Sequence, residues 1–209
     1  MKFVYYDLGL YRGVELSWMV DIILPSLGIK NYHAYGLEAC KAYADKLKNK
    51  YKNNDRVTII HGAIASKNER KKLYYAPNAL GHSIYSTKKN VTEQYEEVDG
   101  IVFSDWLRKN TPNFEKNFNV IKVNIEGAEW DLFNDLVSNK LNEHIKIFCG
   151  AGHDVEKVGE LKNQIGEYYD LLSDNNIELH RFTEWKSHLN ADIEKLIVCE
   201  IKKIVKSQI

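Results

Sequence analysis

Short β-branched or aromatic runs alternate along this chain with longer stretches whose apolar residues recur at helical spacing. Phe3 to Tyr6 reads as a first strand. Val14 to Leu24 reads as a helix that offers Val14, Met19, Val20, Ile22 and Ile23 to a sheet and stops at Pro25. Tyr32 to Tyr35 and Val57 to Ile60 follow as strands two and three, separated by a helix over Ala39 to Lys52. Ser104 can cap a short helix at Asp105 to Lys109. Val120 to Ile125 is strand four, Ala128 to Val137 a helix, and Ile145 to Cys149 strand five. From Asp154 to Leu172, Val155, Val158, Leu161, Ile165, Tyr168 and Leu172 form one apolar face, which predicts a continuous amphipathic helix. Ile177 to Phe182 and Leu196 to Ile201 read as closing strands, and the turn-like linker between them suits an antiparallel edge pair.

Such alternation predicts an α/β fold: a Rossmann-like αβα sandwich of about seven strands, mostly parallel with an antiparallel edge pair, in a single domain. From Gly62 to Val98 the periodicity weakens around Pro77, Asn78 and Gly81, leaving one short strand near Leu73 to Tyr75. Irregular stretches of this length in compact domains usually carry function, so the 62–98 insertion is expected to help form a substrate pocket.

Composition then narrows the partners. Lys plus Arg and Asp plus Glu both total 29, so no global field attracts nucleic acid or an anionic membrane. The basic cluster Lys67, Arg70, Lys71, Lys72 is interrupted by Glu69 and reads as a solvated face. Cys40, Cys149 and Cys199 lack metal or disulfide spacing and read as buried thiols in a reducing compartment. No apolar run approaches the roughly 20 residues of a membrane span and no signal-peptide core heads the chain, so a cytoplasmic location is expected.

Candidate chemistry gathers at the strand ends. The first strand runs into Asp7-Leu8-Gly9-Leu10-Tyr11-Arg12-Gly13 and then a helix, the place where an α/β sheet holds an adenosine-containing ligand. Gly9 and Gly13 permit a tight turn and a close approach to the ligand. Glu38, after the second strand, can accept hydrogen bonds from ribose hydroxyls. Tyr11 stands where a dinucleotide loop needs glycine, so the helix terminus faces something other than a diphosphate. Strand four ends in Ile121-Lys122-Val123-Asn124-Ile125-Glu126-Gly127-Ala128-Glu129-Trp130, with Lys122, Asn124 and Glu126 on one side by alternation.

Together with Val102-Phe103-Ser104-Asp105-Trp106-Leu107, these blocks resemble the D-x-G-A-N-x-G, S-L-D-D-W-L and K-x-D-x-E-G-A-E motifs of the FkbM-type methyltransferases. The resemblance implies a class I methyltransferase fold, S-adenosylmethionine as cofactor, and O-methylation of a sugar or glycan hydroxyl, a deoxyhexose such as rhamnose or fucose being favoured. It implies cofactor contacts from Asp7, Gly9, Leu10, Tyr11, Gly13, Glu38, Ala39, Ala63 and Asn124. Asn124 stands where the family has Asp, which removes a charge, and Leu10-Tyr11 replaces a smaller Ala-Asn pair. The chain begins almost at strand one, so the insertion is expected to supply more of the acceptor pocket.

Methyl transfer to a hydroxyl needs alignment and a base. His153 is the first candidate for the base because imidazole titrates near working pH, with His82 as the alternative and Glu126 and Asn124 as further catalytic candidates. Asp154 capping the next helix, with His153 merely exposed beside it, is the plainer reading. Glu126, His153 and Asp154 could instead share Mg²⁺ or Mn²⁺. Two other functions compete. One is a nucleotide-linked oxidoreductase using Tyr85 and Lys89 as a Y-x-x-x-K pair, and the other is a non-catalytic Rossmann-like binding subunit. Trp106, Trp130 and Trp185 are expected to pack rather than to stack on a sugar.

Overall fold

The computed structural model describes residues 1–77, 80–182 and 189–206, without the side chains of 189–191 and 204–206. Strand β1 (Phe3–Leu8) leads through the glycine loop into a helical run of three parts: α1 (Val14–Ser17), a π-helical segment Trp18–Ile23, and α2 (Leu24–Ser26). Then come β2 (Tyr32–Glu38), α3 (Lys41–Tyr51) and β3 (Val57–His61). The insertion contributes β4 (Ala63–Ile64), β5 (Arg70–Tyr74) and β6 (Tyr95–Ile101). The chain continues with α4 (Phe103–Asn110), β7 (Phe118–Val123), α5 (Glu129–Ser138), β8 (Ile145–Gly150), α6 (Ile165–Asp174), β9 (Leu179–His180) and α7 (Leu189–Lys206).

The main sheet has the order β3-β2-β1-β7-β8-β9, and every pairing in it is parallel. Strand order reverses between β1 and β7, which makes their carboxyl ends the switch point of the sheet. All six residues of β1 are buried, as a strand covered on both faces requires. Val4, Tyr6 and Leu8 pack into one layer with Phe103, Leu107, Leu132, Phe133 and Tyr168. Phe3 and Tyr5 pack into the other with Leu16, Met19, Ile23, Leu47, Ile193 and Ile197. The fold is therefore the Rossmann-like αβα sandwich that the alternation predicts.

Several elements differ from the expectation. Leu196 to Ile201 lies within α7, because Ile193 and Ile197, one helical turn apart, are both fully buried in the same layer. A short apolar run fits helix and strand equally until the flanking period is known. Among the described residues the main sheet consequently has no antiparallel edge pair. Its edge is the two-residue parallel β9, and antiparallel pairing occurs instead between β5 and β6 in a separate sheet of order β4-β6-β5.

Pro25 does not end its helix. The preceding π-helical turn closes with the Leu24 N–H on the Met19 carbonyl, and Pro25 enters in the first turn of α2, where its missing N–H is tolerated. Gly28, at φ +66°, ends the run, with the Ile29 N–H donating to the Leu24 carbonyl at 2.9 Å. The helix expected over Asp154 to Leu172 is broken into two 3₁₀ turns, Asp154–Lys157 and Gly159–Gln164, followed by α6. Val158 leaves helical geometry to bridge Lys88 of the insertion, yet Val155, Val158, Leu161, Tyr168 and Leu172 are buried as their spacing predicts. Cys199 is exposed on α7, whereas Cys40 and Cys149 are buried.

Trp106 stacks on Phe103 and Trp130 tilts against Tyr168, so both pack. Trp185 lies outside the described residues. Among the described residues no helix is long and apolar enough to cross a membrane.

Candidate functional site

Two adjoining cavities open at the carboxyl ends of the parallel strands and share Glu15 and Asn124 as walls. The first, on the β1–β2–β3 side, is lined by the glycine loop, Glu38, Ala39, Ala63, Ile64, Lys122 and Glu126, and by insertion residues that include Leu73, His82 and Ile84. The second, on the β8–β9 side, is lined by residues 150–153, Tyr169, Leu179, Arg181 and Phe182. Of the sequence candidates, Gly9, Leu10, Tyr11, Glu38, Ala39, Ala63, Glu126 and His82 face the first cavity. His153 faces the second and Asn124 both, while Asp7, Gly13 and Asp154 line neither.

The glycine loop is shaped from behind. Gly9 has φ +85°, and a Cβ there would sit 1.9 Å from the carbonyl oxygen of Asn124, so the end of β7 itself demands glycine. Leu10 is buried against Gly36 of β2, where a Cβ would come within 2.6 Å of its methyl carbon. The bulkier residue of this loop thus fits because its neighbour has no side chain. Tyr11 adopts φ +49° and meets Tyr43 edge-on at 4.8 Å, with the Arg12 guanidinium 5.0 Å from its ring.

Asp7 and Lys122 form a buried ion pair at 3.0 Å beneath the loop, and Lys122 Nζ also donates to the Gly9 carbonyl at 2.7 Å. Burial pushes the Asp7 carboxyl up to about 6, against the pull of the Lys122 ammonium. Burial alone would lower Lys122, but the carboxylates of Asp7 and Glu15 outweigh it and hold the amine above its ordinary value. The loop is thereby anchored from the core side.

Glu38 ends β2 with both carboxyl oxygens engaged, one by the Tyr11 N–H at 2.7 Å and the other by the Cys40 N–H at 2.8 Å. Burial nevertheless pushes it up to about 7. Beyond β7, Glu129 plays a similar part for the chain turn, accepting from the N–H groups of Ile125 and Gly127 at 3.0 and 2.6 Å. Burial, and then the Asp154 carboxyl, raise it to about 7.

The insertion closes over the first cavity and is pinned by Lys88. This buried lysine bonds Glu126 Oε2 at 2.5 Å and the Gly81 carbonyl at 3.1 Å, while the Ser83 hydroxyl donates to the Glu126 carbonyl at 2.7 Å. His82 accepts the Ala76 N–H on Nδ1 at 2.9 Å, which leaves Nε2 carrying the proton of a neutral ring, and burial lowers its pKa.

Glu126 is thus paired within the first cavity, His153 is exposed in the second, and buried Asp154 is paired with Lys157. The proposed metal trio is therefore not assembled, and among the described residues no group of three His, Cys, Asp or Glu is placed to hold a metal ion. Tyr85 does not pair with Lys89 in the dehydrogenase manner, since its hydroxyl donates to Asp131 at 3.0 Å.

No family model and no curated protein matches this chain. Among solved structures, that of methyltransferase FkbM from Methylobacillus flagellatus KT is similar at 16% sequence identity and a TM-score of 0.44. The match covers 83% of this chain and 38% of that one. Function here rests on the geometry of the site itself.

Several site residues escape a reading of the sequence. Glu15 follows Gly13 by two positions on an apolar helix start and stands at the junction of the cavities. Its carboxylate in an apolar run is the one local signal that singles it out. Lys88 and Arg181 carry no such signal, because only the folding of the insertion onto β7 and of β9 beside β8 brings them to the site.

Proposed function

We propose that this protein is an S-adenosylmethionine-dependent methyltransferase that methylates a hydroxyl of a sugar or glycan. The observation that carries the reading is a cavity at the switch point with a buried carboxylate, Glu38, in its wall, beside a glycine loop whose Tyr11 N–H is spent on that carboxylate. A ribose suits such a wall and a diphosphate does not. Apolar Ala63, Ile64, Leu73 and Ile84 suit an adenine ring, and Glu15 at the junction suits a sulfonium charge.

When bound, S-adenosylmethionine supplies the methyl group, and the protein's share is alignment, exclusion of water and removal of one proton. Glu38 holds the ribose hydroxyls, the Asp7–Lys122 pair fixes the loop through the Gly9 carbonyl, and Asn124 lies between donor and acceptor cavities. With the methyl donor held there, the acceptor hydroxyl would lose its proton to an imidazole nitrogen of His153, which lines the second cavity.

Equilibrium binding tests the reading. S-adenosylhomocysteine binds and NAD(H) does not, Asp7→Ala and Glu38→Ala lose that binding, and His153→Ala keeps it while losing turnover on rhamnosides or fucosides. A preference for NAD(H) would overturn the assignment, and a His153→Ala variant with normal rate would move the base elsewhere.

A further inference from the structure

The second cavity lies across Glu15 and Asn124 from the nucleoside end of the first. Leu172, Leu179 and Phe182 give it an apolar lining. Tyr169 forms a wall and is held from two directions, its hydroxyl bonded to Glu156 and its ring edge-on to Tyr168 at 5.3 Å. A fixed aromatic ring of this kind is a platform for the apolar face of a pyranose.

Arg181 also lines this cavity, is exposed, and has no ion pair or side-chain hydrogen bond among the described residues. Asp154, next to His153, is buried and paired with Lys157, and Glu15 at the junction is the acidic residue that shares this cavity's lining with Arg181. Arginine keeps its charge at any working pH, and its planar fork matches the two oxygens of a carboxylate or phosphate. A guanidinium with no ion pair among the described residues, in one cavity with an aromatic platform, therefore describes a ligand with a sugar-like body and an acid group.

Resting on the methyltransferase reading, we infer that the second cavity is the acceptor site and selects a sugar carrying an acid group, either a carboxylate or a phosphate monoester. Arg181 anchors the acid beside Tyr169, and the hydroxyl to be methylated lies toward Glu15 and Asn124, within the cavity that holds His153.

The test is calorimetric titration of the S-adenosylhomocysteine-saturated protein with matched hexose and deoxyhexose probes in three forms: neutral methyl glycoside, uronate and 1-phosphate. The acid forms bind roughly tenfold or more tightly than the neutral ones, the gain expected of a charge-assisted pair, and the uronate and phosphate arms tell which acid is preferred. Arg181→Ala abolishes the difference and Arg181→Lys restores part of it. S-adenosylhomocysteine affinity, measured separately, stays within about twofold of wild type and shows that each variant is folded. Equal affinity for acid and neutral probes, or none for any, overturns the inference while leaving the cofactor reading intact. Loss of S-adenosylhomocysteine affinity in Arg181→Ala also overturns it, by assigning the arginine to the cofactor's own carboxylate. Failure of wild-type protein to bind S-adenosylhomocysteine sinks the underlying reading instead.

Discussion

Lys122 carries a charge into the core, and the Asp7 carboxylate, the Gly9 carbonyl and the nearby Glu15 carboxylate make that tolerable. Removing one member of a buried pair strands the other without a counter-charge. Lys122→Met should therefore lower unfolding free energy by about 3–5 kcal/mol in urea titration, the range for breaking such pairs. The double variant Lys122→Met/Asp7→Leu should recover much of that loss, and no recovery would mean that the pair contributes something other than charge balance. The sequence made Asp7 visible as the last polar residue before the glycine loop, but suggested direct cofactor contact. Its complete burial gives it an indirect part, since it holds the loop through Lys122. The glycines were legible as turn formers, whereas the Asn124 carbonyl that makes Gly9 obligatory belongs to the residue that follows β7, far along the chain.

Among elements, the insertion is pinned over the first cavity by the buried side chain of Lys88. Lys88 ties together Gly81 and Glu126, and beneath it the backbone pairs Tyr74 with Ser83 at 2.8 and 3.1 Å. In Lys88→Met, amide exchange at Tyr74 and Ser83 should accelerate while amides of β1 and β7 keep their protection. Unchanged exchange at both sites would show that the Ser83 hydroxyl bond to Glu126 suffices. Weak periodicity over 62–98 announced this element as irregular apart from one short strand near Leu73 to Tyr75, which overlaps β5. β6 was missed because its sequence YEEVDGI is too acidic to read as a strand, and it forms because cross-strand partners such as Arg70 opposite Asp99 answer its charges. The same limit applies to α7. Its local run Leu196 to Ile201 is strand-like, and only the layer that buries Ile193 and Ile197 decides for helix.

For the whole molecule, buried carboxyls link stability to pH. Glu38 and Glu129 rise from 4.5 to about 7 on folding, and Asp7 rises from 3.8 to about 6. Between the unfolded and folded values the native state binds more protons than the unfolded chain. The stability these groups contribute is therefore complete below about pH 4 and is lost as pH rises through 6 to 7. Each adds a slope of at most about 1.4 kcal/mol per pH unit. Glu129→Gln should flatten the fall in melting temperature between pH 5 and 7 relative to wild type, and parallel profiles for the two proteins would refute its share. The layered fold and the first cavity were largely legible from strand ends and the glycine loop. The division into two cavities was not, because it depends on how β7 separates two halves of a sheet rather than on any one motif.

The order of strands also sets a schedule. β1 sits at the centre of the sheet with Phe3 opposite Tyr32 on one side and Phe118 on the other. During synthesis the first flank can close early, but the second stays open until the residues of β7 have emerged. A nascent chain is thus obliged to shelter a bare and largely apolar strand edge, with the Asp7 carboxyl on it, through much of its elongation. Of the two flanks of β1, the one that closes later is the seam on which both cavities are built.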